Sequence, residues 1–334
     1  MTGTATTPGT TRPSLFAAYG PRVLPLVRQS GILIPFVILF IVLASGNSRF
    51  ARTANLLNIL DQQAALVIIA AAGTFVLISG GIDLSVAAVF ALCGAVAARV
   101  VQSQPIWVGV VVALLTGLAI GLVNGFVSTV LRINSLIATL AMSFIVAGIS
   151  NQVVADYGGL IRVFDFPSFN KIAWTRWLGA MTSVWIMLGV VLILGLVLSR
   201  STFGRYTYAV GGNQEAARLA GVRVTAVRIA AFAASGTAAA LGGIIYVSRT
   251  QTATGVTDNT LTFTVLAGIV VGGTSILGGD GAMWRTVVGV LFIALVGNGF
   301  DLYGYDPLYK QITLGVLLLL AVGLDAWTRQ RRRS

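Results

Sequence analysis

Ten apolar stretches, separated by short polar segments, constrain this chain more than any other feature of its sequence. Several approach the ~20 residues that a helix needs to cross the hydrocarbon core of a bilayer. Irregular backbone is tolerated at that depth only where protein or water covers it. Stretches interrupted by glycine pairs therefore predict broken or re-entrant helices. The stretches lie at about 31–46, 63–80, 84–101, 106–131, 135–154, 182–199, 226–247, 261–278, 284–300 and 308–327.

The composition agrees with an integral membrane protein. Of the 334 residues, 56% are hydrophobic and 10% are charged, a balance that a soluble domain cannot solvate. The 39 glycines indicate a helical bundle in which small residues let backbones approach closely. The predicted fold class is therefore all-α, a polytopic membrane protein of about ten transmembrane helices.

Two absences exclude whole classes of chemistry. The chain has no histidine, so a histidine metal ligand, a histidine base and a Ser-His-Asp triad are excluded. Neither Lys171 nor Lys310 follows a glycine, so the chain lacks the phosphate loop that binds ATP. Cys93 is the only cysteine, lies in an apolar stretch and is interpreted as a small core residue. We expect no catalytic residue and no metal site.

The distribution of arginine and lysine predicts the orientation. With a cytoplasmic N-terminus, the inside segments hold 14 of the 22 basic residues and the outside segments hold 8. An excess of basic residues marks the cytoplasmic side, so both termini are expected inside. The same choice places residues 213–220 in the cytoplasm. It leaves an aromatic-rich outside loop at about 155–181, typical of a membrane-interface belt or of a docking surface.

The chain divides into one membrane domain with two polar flanks. Residues 1–30 are rich in threonine, proline and glycine and predict a disordered cytoplasmic lead. The alternative is a signal peptide with its apolar region at Ile32–Leu43, although the preceding segment is long for that role. We expect a single transmembrane domain at 31–327 and a basic cytoplasmic tail at 328–334.

A short capped helix is predicted at about 213–220, between two apolar stretches. Asn213 is a favourable N-cap, and Glu215 suits the first turn, where the helix dipole is positive. Gly221 can adopt a left-handed C-cap, and Gly212 lets the chain turn before the helix. Two turns are marginal alone in water, so the helix must dock on something. It is either a helix resting on the lipid headgroups or a plug for a soluble partner.

Two polar, glycine-rich segments, 79–86 and 270–279, predict sharp turns in the membrane region. Each is followed by an apolar helix, which is a weak sign of the internal repeats common in transporters. In the first segment, Asp83 can cap the next helix, and so close to hydrocarbon its carboxylate needs a partner. The residues assigned to these hinge or re-entrant turns are Gly80, Gly81, Asp83, Gly272, Gly273 and Thr274.

Five motifs occur in an order that resembles the permease subunit of ribose- or xylose-type ABC sugar importers, which depend on a binding protein. The resemblance covers nearly everything after about residue 55. The motifs are SGGIDLSV at 79–86, INSLIATLAM at 133–142, FGRYTYAVGGNQEAARLAGV at 203–222, VVGGTSILGG at 270–279 and GNGFDLYGYDPLYKQITLGVLLLLAVGLD at 297–325.

The resemblance implies that the 213–220 helix is the cytoplasmic coupling helix, which sits in a groove of an ATPase subunit. Glu215, Ala216, Ala217 and Gly221 match the family's EAA-x-x-x-G loop. The apolar side chains of the helix would wedge into the groove, while Glu215 and Arg218 would set its register. The residues assigned to ATPase coupling are Gly212, Asn213, Glu215, Ala216, Ala217, Arg218 and Gly221.

The resemblance also implies the partners. They are an ABC ATPase subunit with two fused nucleotide-binding domains, an extracytoplasmic sugar-binding protein and a second permease copy, all at the inner membrane of a bacterium. ATP and Mg would bind to the ATPase, and this chain would hold no cofactor and contact no nucleic acid. Transport would proceed by alternating access without covalent chemistry.

Neutral polar side chains within the apolar stretches are the candidates for a sugar pathway, because a sugar needs uncharged donors and acceptors. Polar groups in an apolar helix tend to face the bundle interior or water. Each could equally join two helices, at an average of only about 0.6 kcal/mol. The candidates are Asn124, Asn134, Thr139, Ser143, Asn151, Gln152 and Asn298.

The sequence departs from the family pattern at a few positions, which weakens any inference about the individual sugar. Asn134, Ser135 and Leu136 stand where proline and phenylalanine are frequent, and Phe232 replaces a common tyrosine. Two alternatives remain: a related ABC permease for nucleosides or branched-chain amino acids, and an ion-coupled secondary transporter. The second tends to bury carboxylates in mid-helix, whereas the acids here mostly lie near the predicted helix ends.

Overall fold

The computed structural model describes the backbone of residues 31–333 and the side chains up to residue 320, and it is almost entirely helical. The predicted lead at 1–30 lies outside the described residues. The helices are α1 (Leu33–Gly46), α2 (Thr53–Ile78), α3 (Val86–Val100), α4 (Ile106–Thr129), α5 (Ser135–Ala155), α6 (Pro167–Trp174), α7 (Thr182–Arg200), α8 (Thr202–Gly212), α9 (Gln214–Leu219), α10 (Val224–Thr250), α11 (Asn259–Val271), α12 (Met283–Tyr303) and α13 (Pro307–Arg333). The strands are β1 (Leu160–Arg162), β2 (Arg176–Trp177), β3 (Ala180–Met181) and β4 (Thr252–Thr254).

The apolar helices correspond one to one with the ten predicted stretches. Six helices, α2, α4, α5, α7, α10 and α12, are long and apolar enough to cross a membrane. Four apolar helices are shorter: α1, α3, α11 and the first part of α13, Pro307–Leu320. The prediction of an all-α polytopic membrane protein, with some helices broken, is confirmed. The predicted basic tail continues as the last turns of α13.

Two small antiparallel sheets were not predicted, because strands of two or three residues leave no periodic signal in the sequence. β1 pairs with β4, and β2 pairs with β3. Together with α6 they fold the aromatic-rich loop onto the end of α10, where Trp174 Nε1 donates to the Arg249 carbonyl at 3.0 Å. Phe169 of this loop is fully buried, whereas Trp174 and Trp177 are exposed.

Successive membrane helices alternate in direction, so the connecting segments collect at two ends of the bundle. At one end, which we call the α9 end, Gly279 N donates to the Ile78 carbonyl at 2.9 Å and Ile82 N donates to Ser135 Oγ at 3.1 Å. At the opposite end, Arg99 pairs with Asp156 at 2.8 Å, and β1 pairs with β4. The predicted orientation assumes this alternation, because it assigns successive connecting segments to opposite sides of the membrane.

Helix α10 lies in the centre of the bundle and approaches α4 at backbone distance. Glycines at Gly117, Gly121 and Gly125 repeat every four residues and line one face of α4. A Cβ on Gly121 would lie 2.9 Å from Ala233 Cα, and a Cβ on Gly125 would lie 2.7 Å from Ile229 Cα. Any side chain at these positions would therefore force the two helices apart.

An acidic residue lies inside the bundle near the opposite end. Asp61 belongs to the third turn of α2 and is only 8% exposed. The prediction that the acidic residues lie near helix ends is therefore wrong for Asp61. Its carboxylate accepts from Arg249 Nε at 2.8 Å and from Ser183 Oγ, which ties α2, α7 and α10 together. A charge at this depth is tolerated because it is paired.

Replacing Gly121 with leucine should destabilise the bundle by roughly 1–3 kcal/mol, because the side chain would overpack the α4–α10 contact. The matched control is Gly189→Leu on α7, where a Cβ meets nothing within 4 Å. The measurement is the thermal unfolding midpoint of the purified protein in detergent. Equal midpoints for the two variants would contradict the packing described here.

Candidate functional site

Helix α9 stands out from the α9 end and is capped at both ends, as predicted. Asn213 Oδ1 accepts from the backbone N–H groups of Glu215 and Ala216, both at 3.0 Å. After the helix, Gly221 has φ +83° and its N–H donates to the Arg218 carbonyl, while Val222 N donates to the Ala217 carbonyl. These two bonds form a Schellman motif, which pairs the last carbonyl groups.

The two faces of α9 differ in their surroundings. Ala217 is buried and packs with Val210, Val224 and Val227. Leu219 is 83% exposed, an unusual position for a leucine outside the apolar spans. Glu215 and Arg218 pair at 3.5 Å on the surface, a contact that contributes little to stability. The structure therefore uses Ala217 to seat the helix and leaves the opposite face free.

The helix before α9 ends in a close contact of three glycine-containing segments. We call Gly80, Gly211, Gly212, Gly278 and Gly279 the glycine junction. A Cβ on Gly211 would overlap the Ile78 carbonyl oxygen, and a Cβ on Gly279 would lie 3.0 Å from the Gly212 Cα. A Cβ on Gly278 would lie 3.0 Å from the Gly80 Cα. The approach to α9, the end of α2 and the loop after α11 thus touch through backbone atoms alone.

The two predicted glycine turns end their helices in the same way. Gly80 follows α2 with φ +79°, and Gly273 follows α11 with φ +87°. In each turn, the N–H of this glycine and the N–H of the next residue donate to carbonyl groups in the last turn of the helix, which again makes a Schellman motif. Gly81 and Gly272 complete the pairs, and Thr274 is buried just after the second. The predicted sharp turns are present in both segments.

The loop at 79–85, which we call the Asp83 loop, is held by polar side chains from several helices. Asp83 is buried and accepts from Ser85 Oγ at 2.7 Å and from Ser235 Oγ of α10 at 2.8 Å. It also accepts from Ser85 N at 3.0 Å, but it accepts from no N–H group within α3, so the predicted capping role is wrong. Asn124 Nδ2 of α4 donates to Ser85 Oγ at 2.8 Å.

Helix α5 also holds the Asp83 loop, and α11 holds the start of α3, which follows the loop. Leu84 N donates to Thr139 Oγ1 at 2.9 Å, and Ala87 N, at the start of α3, donates to Thr262 Oγ1 at 3.2 Å.

A separate hydrogen bond joins α8 to the loop after α11: the Tyr208 hydroxyl donates to the Gly281 carbonyl at 2.8 Å. Burial raises the pKa of Tyr208, which keeps this donor protonated.

Two of the predicted pathway residues meet in one cavity. A space of about 350 Å³, which we call the α5–α11 cavity, is lined by Ser143 and Asn151 on α5. Its other polar groups are Thr257, Asn259 and Thr262, which precede or begin α11 and were not predicted, although the polar run 250–262 was visible in the sequence. The cavity is further lined by Leu84, Leu140, Phe144, Ala147, Val256 and Phe263.

The remaining pathway candidates lie elsewhere. Asn298 of α12 exchanges two amide hydrogen bonds with Asn55 of α2, at 3.0 and 3.1 Å, so it joins helices. Asn124 and Thr139 hold the Asp83 loop, as described above. Asn134 is the N-cap of α5, where its side chain accepts from Leu136 N at 2.9 Å. Gln152 is exposed and does not line the cavity.

Comparison with known proteins places the chain among transport permeases. It matches the family described as the branched-chain amino acid transport system, permease component, over residues 55–322. The L-arabinose transport system permease protein AraH of Escherichia coli (strain K12) is 35% identical over 307 residues, 92% of this chain and 93% of that protein. The ribose import permease protein RbsC of the same organism is 36% identical over 297 residues, 88% of this chain and 92% of that one.

A relative from another bacterium shows a similar extent of similarity. The ribose import permease protein RbsC of Bacillus subtilis (strain 168) is 33% identical over 304 residues, 90% of this chain and 93% of that protein. No solved structure matches the chain. Because the family match runs through α2 to α13 and includes α9 with its glycine junction, the chain belongs to this family of transport-system permease components.

Proposed function

We propose that this chain is the permease of an ATP-driven ABC importer, which passes a monosaccharide across the membrane by alternating access. The observation that carries the proposal is α9, an exposed capped helix whose preceding helix ends in the glycine junction. The relatives described above are permeases for arabinose and ribose, which supports a pentose or hexose as the solute. ATP hydrolysis belongs to a separate subunit.

In the proposed mechanism, an ATPase subunit grips the exposed face of α9. Gly212, Asn213, Glu215, Ala216 and Arg218 form or shape that face, while Ala217 and Gly221 seat and end the helix. Closure of the ATPase around ATP would draw the α9 helices of two permease copies together. A displacement at Gly212 would reach the end of α2 directly, because the junction has no side chains that could yield.

The movement of α9 would then be transmitted through the Asp83 loop to the cavity that we propose holds the solute. That loop is bonded to α4, α5 and α10, and the start of α3, which follows the loop, is bonded to α11. Both α5 and α11 line the α5–α11 cavity. Gly80 and Gly273 would serve as hinges, since their positive φ is accessible to glycine at little cost. The chain's own part is to change the shape of this cavity, and it makes no covalent bond.

The α5–α11 cavity fits a neutral polyhydroxylated solute. Its hydroxyl and amide groups can donate and accept, and Phe144 and Phe263 offer apolar surface for the carbon-bound hydrogens of a sugar ring. Among the described residues, no charged side chain lines the cavity. An amino acid would bring an ammonium and a carboxylate that need ionic partners, so the branched-chain amino acid alternative is less well supported, and nucleosides remain the second candidate.

An ion-coupled mechanism has little support. Asp61 is paired with Arg249, and the carboxylate of Asp83 is engaged by two hydroxyl groups and one backbone N–H. Neither acid lines the α5–α11 cavity, where a proton or sodium relay would need to meet the solute. Energy from a partner ATPase, with ATP and Mg bound there, is the better supported source.

The proposed partners follow from this mechanism. They are an ABC ATPase with two fused nucleotide-binding domains, an extracytoplasmic sugar-binding protein and a second copy of the permease. The proposed location is the inner or plasma membrane of a bacterial cell, with both termini and α9 in the cytoplasm. The excess of arginine on segments at the α9 end supports this orientation.

Glu215→Lys and Gly221→Pro should uncouple ATP hydrolysis from uptake and leave membrane insertion intact. Lysine reverses the charge in the first turn of α9, and proline cannot adopt the positive φ of Gly221. A loss of about 1.4 kcal/mol at the contact would lower uptake roughly tenfold. The measurement is sugar uptake and ATP hydrolysis in proteoliposomes that contain the assembled complex. Asp165→Lys, an exposed acid at the opposite end, is the control, and normal uptake by both α9 variants would contradict the assignment.

Orientation can be tested with cysteines introduced at the two ends. In a Cys93→Ala background, Leu219→Cys should react with a membrane-impermeant maleimide only in inverted vesicles. Trp177→Cys, at the opposite end, should react only in intact cells. Both native side chains are largely exposed, so access to the reagent depends on the side of the membrane. The reversed pattern would overturn the proposed orientation and the role of α9.

Asn151→Leu should weaken transport by roughly threefold to tenfold, the effect of losing one neutral hydrogen bond to the solute. The neighbouring Gln152→Leu is the matched control, because Gln152 is exposed outside the cavity. The measurement is the concentration dependence of uptake, together with the thermal unfolding midpoint. Equal effects of the two substitutions would remove the α5–α11 cavity from the pathway.

A further inference from the structure

A second cavity lies at the α9 end, beside the proposed coupling helix. It has a volume of about 440 Å³ and lies between the end of α4, the start of α5, α9 and the start of α10. Its lining includes three arginines, Arg132, Arg218 and Arg228. We call this space the arginine cavity. Apart from Gly80 and Arg218, the residues that line it have no role in the proposed transport cycle.

The positive charge of the arginine cavity is barely compensated within the described part of the chain. No acidic side chain lines the cavity, and neither Arg132 nor Arg228 forms an ion pair with a described residue. Arg218 pairs with Glu215, but at 3.5 Å and with both side chains exposed. Such a pair is weak and screened by salt. The cavity therefore favours an anion.

Two buried donors of the cavity wall have no hydrogen-bond partner in the described structure. One is Arg228 Nε, and the other is the Ser128 hydroxyl, whose residue is 5% exposed. An unpaired buried donor costs roughly 1–3 kcal/mol, so native structures rarely keep one without a reason. Both residues line the same space, which is typical of a site whose ligand supplies the acceptor atoms.

Two helices begin at this cavity. Ser135 opens α5, and Val224 opens α10, whose N-cap Arg223 makes no side-chain capping bond. The first N–H groups of a helix and its positive dipole end attract anions. Because Asn134 already caps α5, the groups that surround the space are the arginines, the unpaired hydroxyl and the uncapped start of α10.

We propose that the arginine cavity binds a phosphate-bearing anion. A phosphate group carries close to two negative charges near neutral pH and offers three or more acceptor oxygens. A carboxylate has two oxygens, which a single guanidinium fork can occupy. The donors here come from α4, the segment between α4 and α5, and α10, with Arg218 on α9, and so fit the tetrahedral group better. The phosphate can come from a phospholipid headgroup or from a free phosphate compound.

Bound phosphate would tie α9 to the rest of the bundle. Arg218 lies on α9, whereas Arg132 and Arg228 belong to the segments around α4, α5 and α10. An occupied site would therefore restrain the helix that we assign to ATPase coupling. This consequence rests on the proposed function of α9, but the binding site itself does not.

The test uses the full chain in phosphatidylcholine nanodiscs, titrated with inorganic phosphate while the thermal unfolding midpoint is followed. We expect a saturable rise in the midpoint that chloride at equal ionic strength does not produce. The double variant Arg132→Gln/Arg228→Gln should bind phosphate about tenfold more weakly or worse, since each substitution removes a charged hydrogen-bond donor. Arg223→Gln, an exposed arginine at the start of α10 outside the cavity, should bind like the wild type.

Nanodiscs that also contain phosphatidylglycerol separate the two sources. Loss of the phosphate titration in these discs identifies the lipid headgroup as the occupant, and an unchanged titration identifies a free phosphate compound. Should the double variant fail to fold, Ser128→Ala and Arg228→Lys provide milder tests, each expected to weaken binding severalfold. No saturable phosphate effect in either disc overturns the proposal. Normal phosphate binding by the double variant also overturns it. If the double variant binds phosphate normally but no longer assembles with the ATPase subunit, the cavity instead binds an acidic segment of the ATPase.

Discussion

Direct contact between backbones is the constraint on which the rest of this structure depends. Lipid removes the hydrophobic drive between helices, so their association relies on van der Waals packing and hydrogen bonds. The central pair, α4 and α10, meets through Gly117, Gly121 and Gly125, and a Cβ on Gly125 would lie 2.7 Å from Ile229 Cα. The same device recurs at the glycine junction, where it joins the end of α8, the end of α2 and the loop after α11. One physical solution thus serves both the stability of the bundle and the connection to α9.

The junction gives α9 a rigid base although the helix has only six residues. Such a helix could not persist alone, but Asn213 and Gly221 pair its free backbone groups, and Ala217 seats it on the bundle. From there, hydrogen bonds of the Asp83 loop and of the start of α3 lead to α5 and α11, which line the α5–α11 cavity. The proposed function and the proposed phosphate site both act on this one element, the first by moving α9 and the second by restraining it.

Polar groups inside the bundle divide into two classes that look alike in the sequence. Asn298 and Asn55 satisfy each other, and Asp61 is paired with Arg249. Ser143 and Asn151 instead line a cavity. All of them sit within apolar helices, and only their neighbours on other helices distinguish a structural contact from a surface that can meet a solute.

Local signals were sufficient for the ten apolar helices, which hydrophobic length predicted, and for both ends of α9, which capping chemistry predicted. Glycine-rich segments predicted the turns at Gly80 and Gly273, whereas the short strands and the helices α6 and α8 were not predicted. These features depend on residues close together in the chain. Contacts between distant residues could not be predicted, since no spacing rule relates Ser128 to Arg228, or Asn151 to Thr262. The burial of Asp61, the convergence of Gly211 with Gly279 and both cavities were therefore decided by the tertiary structure, because only the packing of helices brings those groups within contact distance.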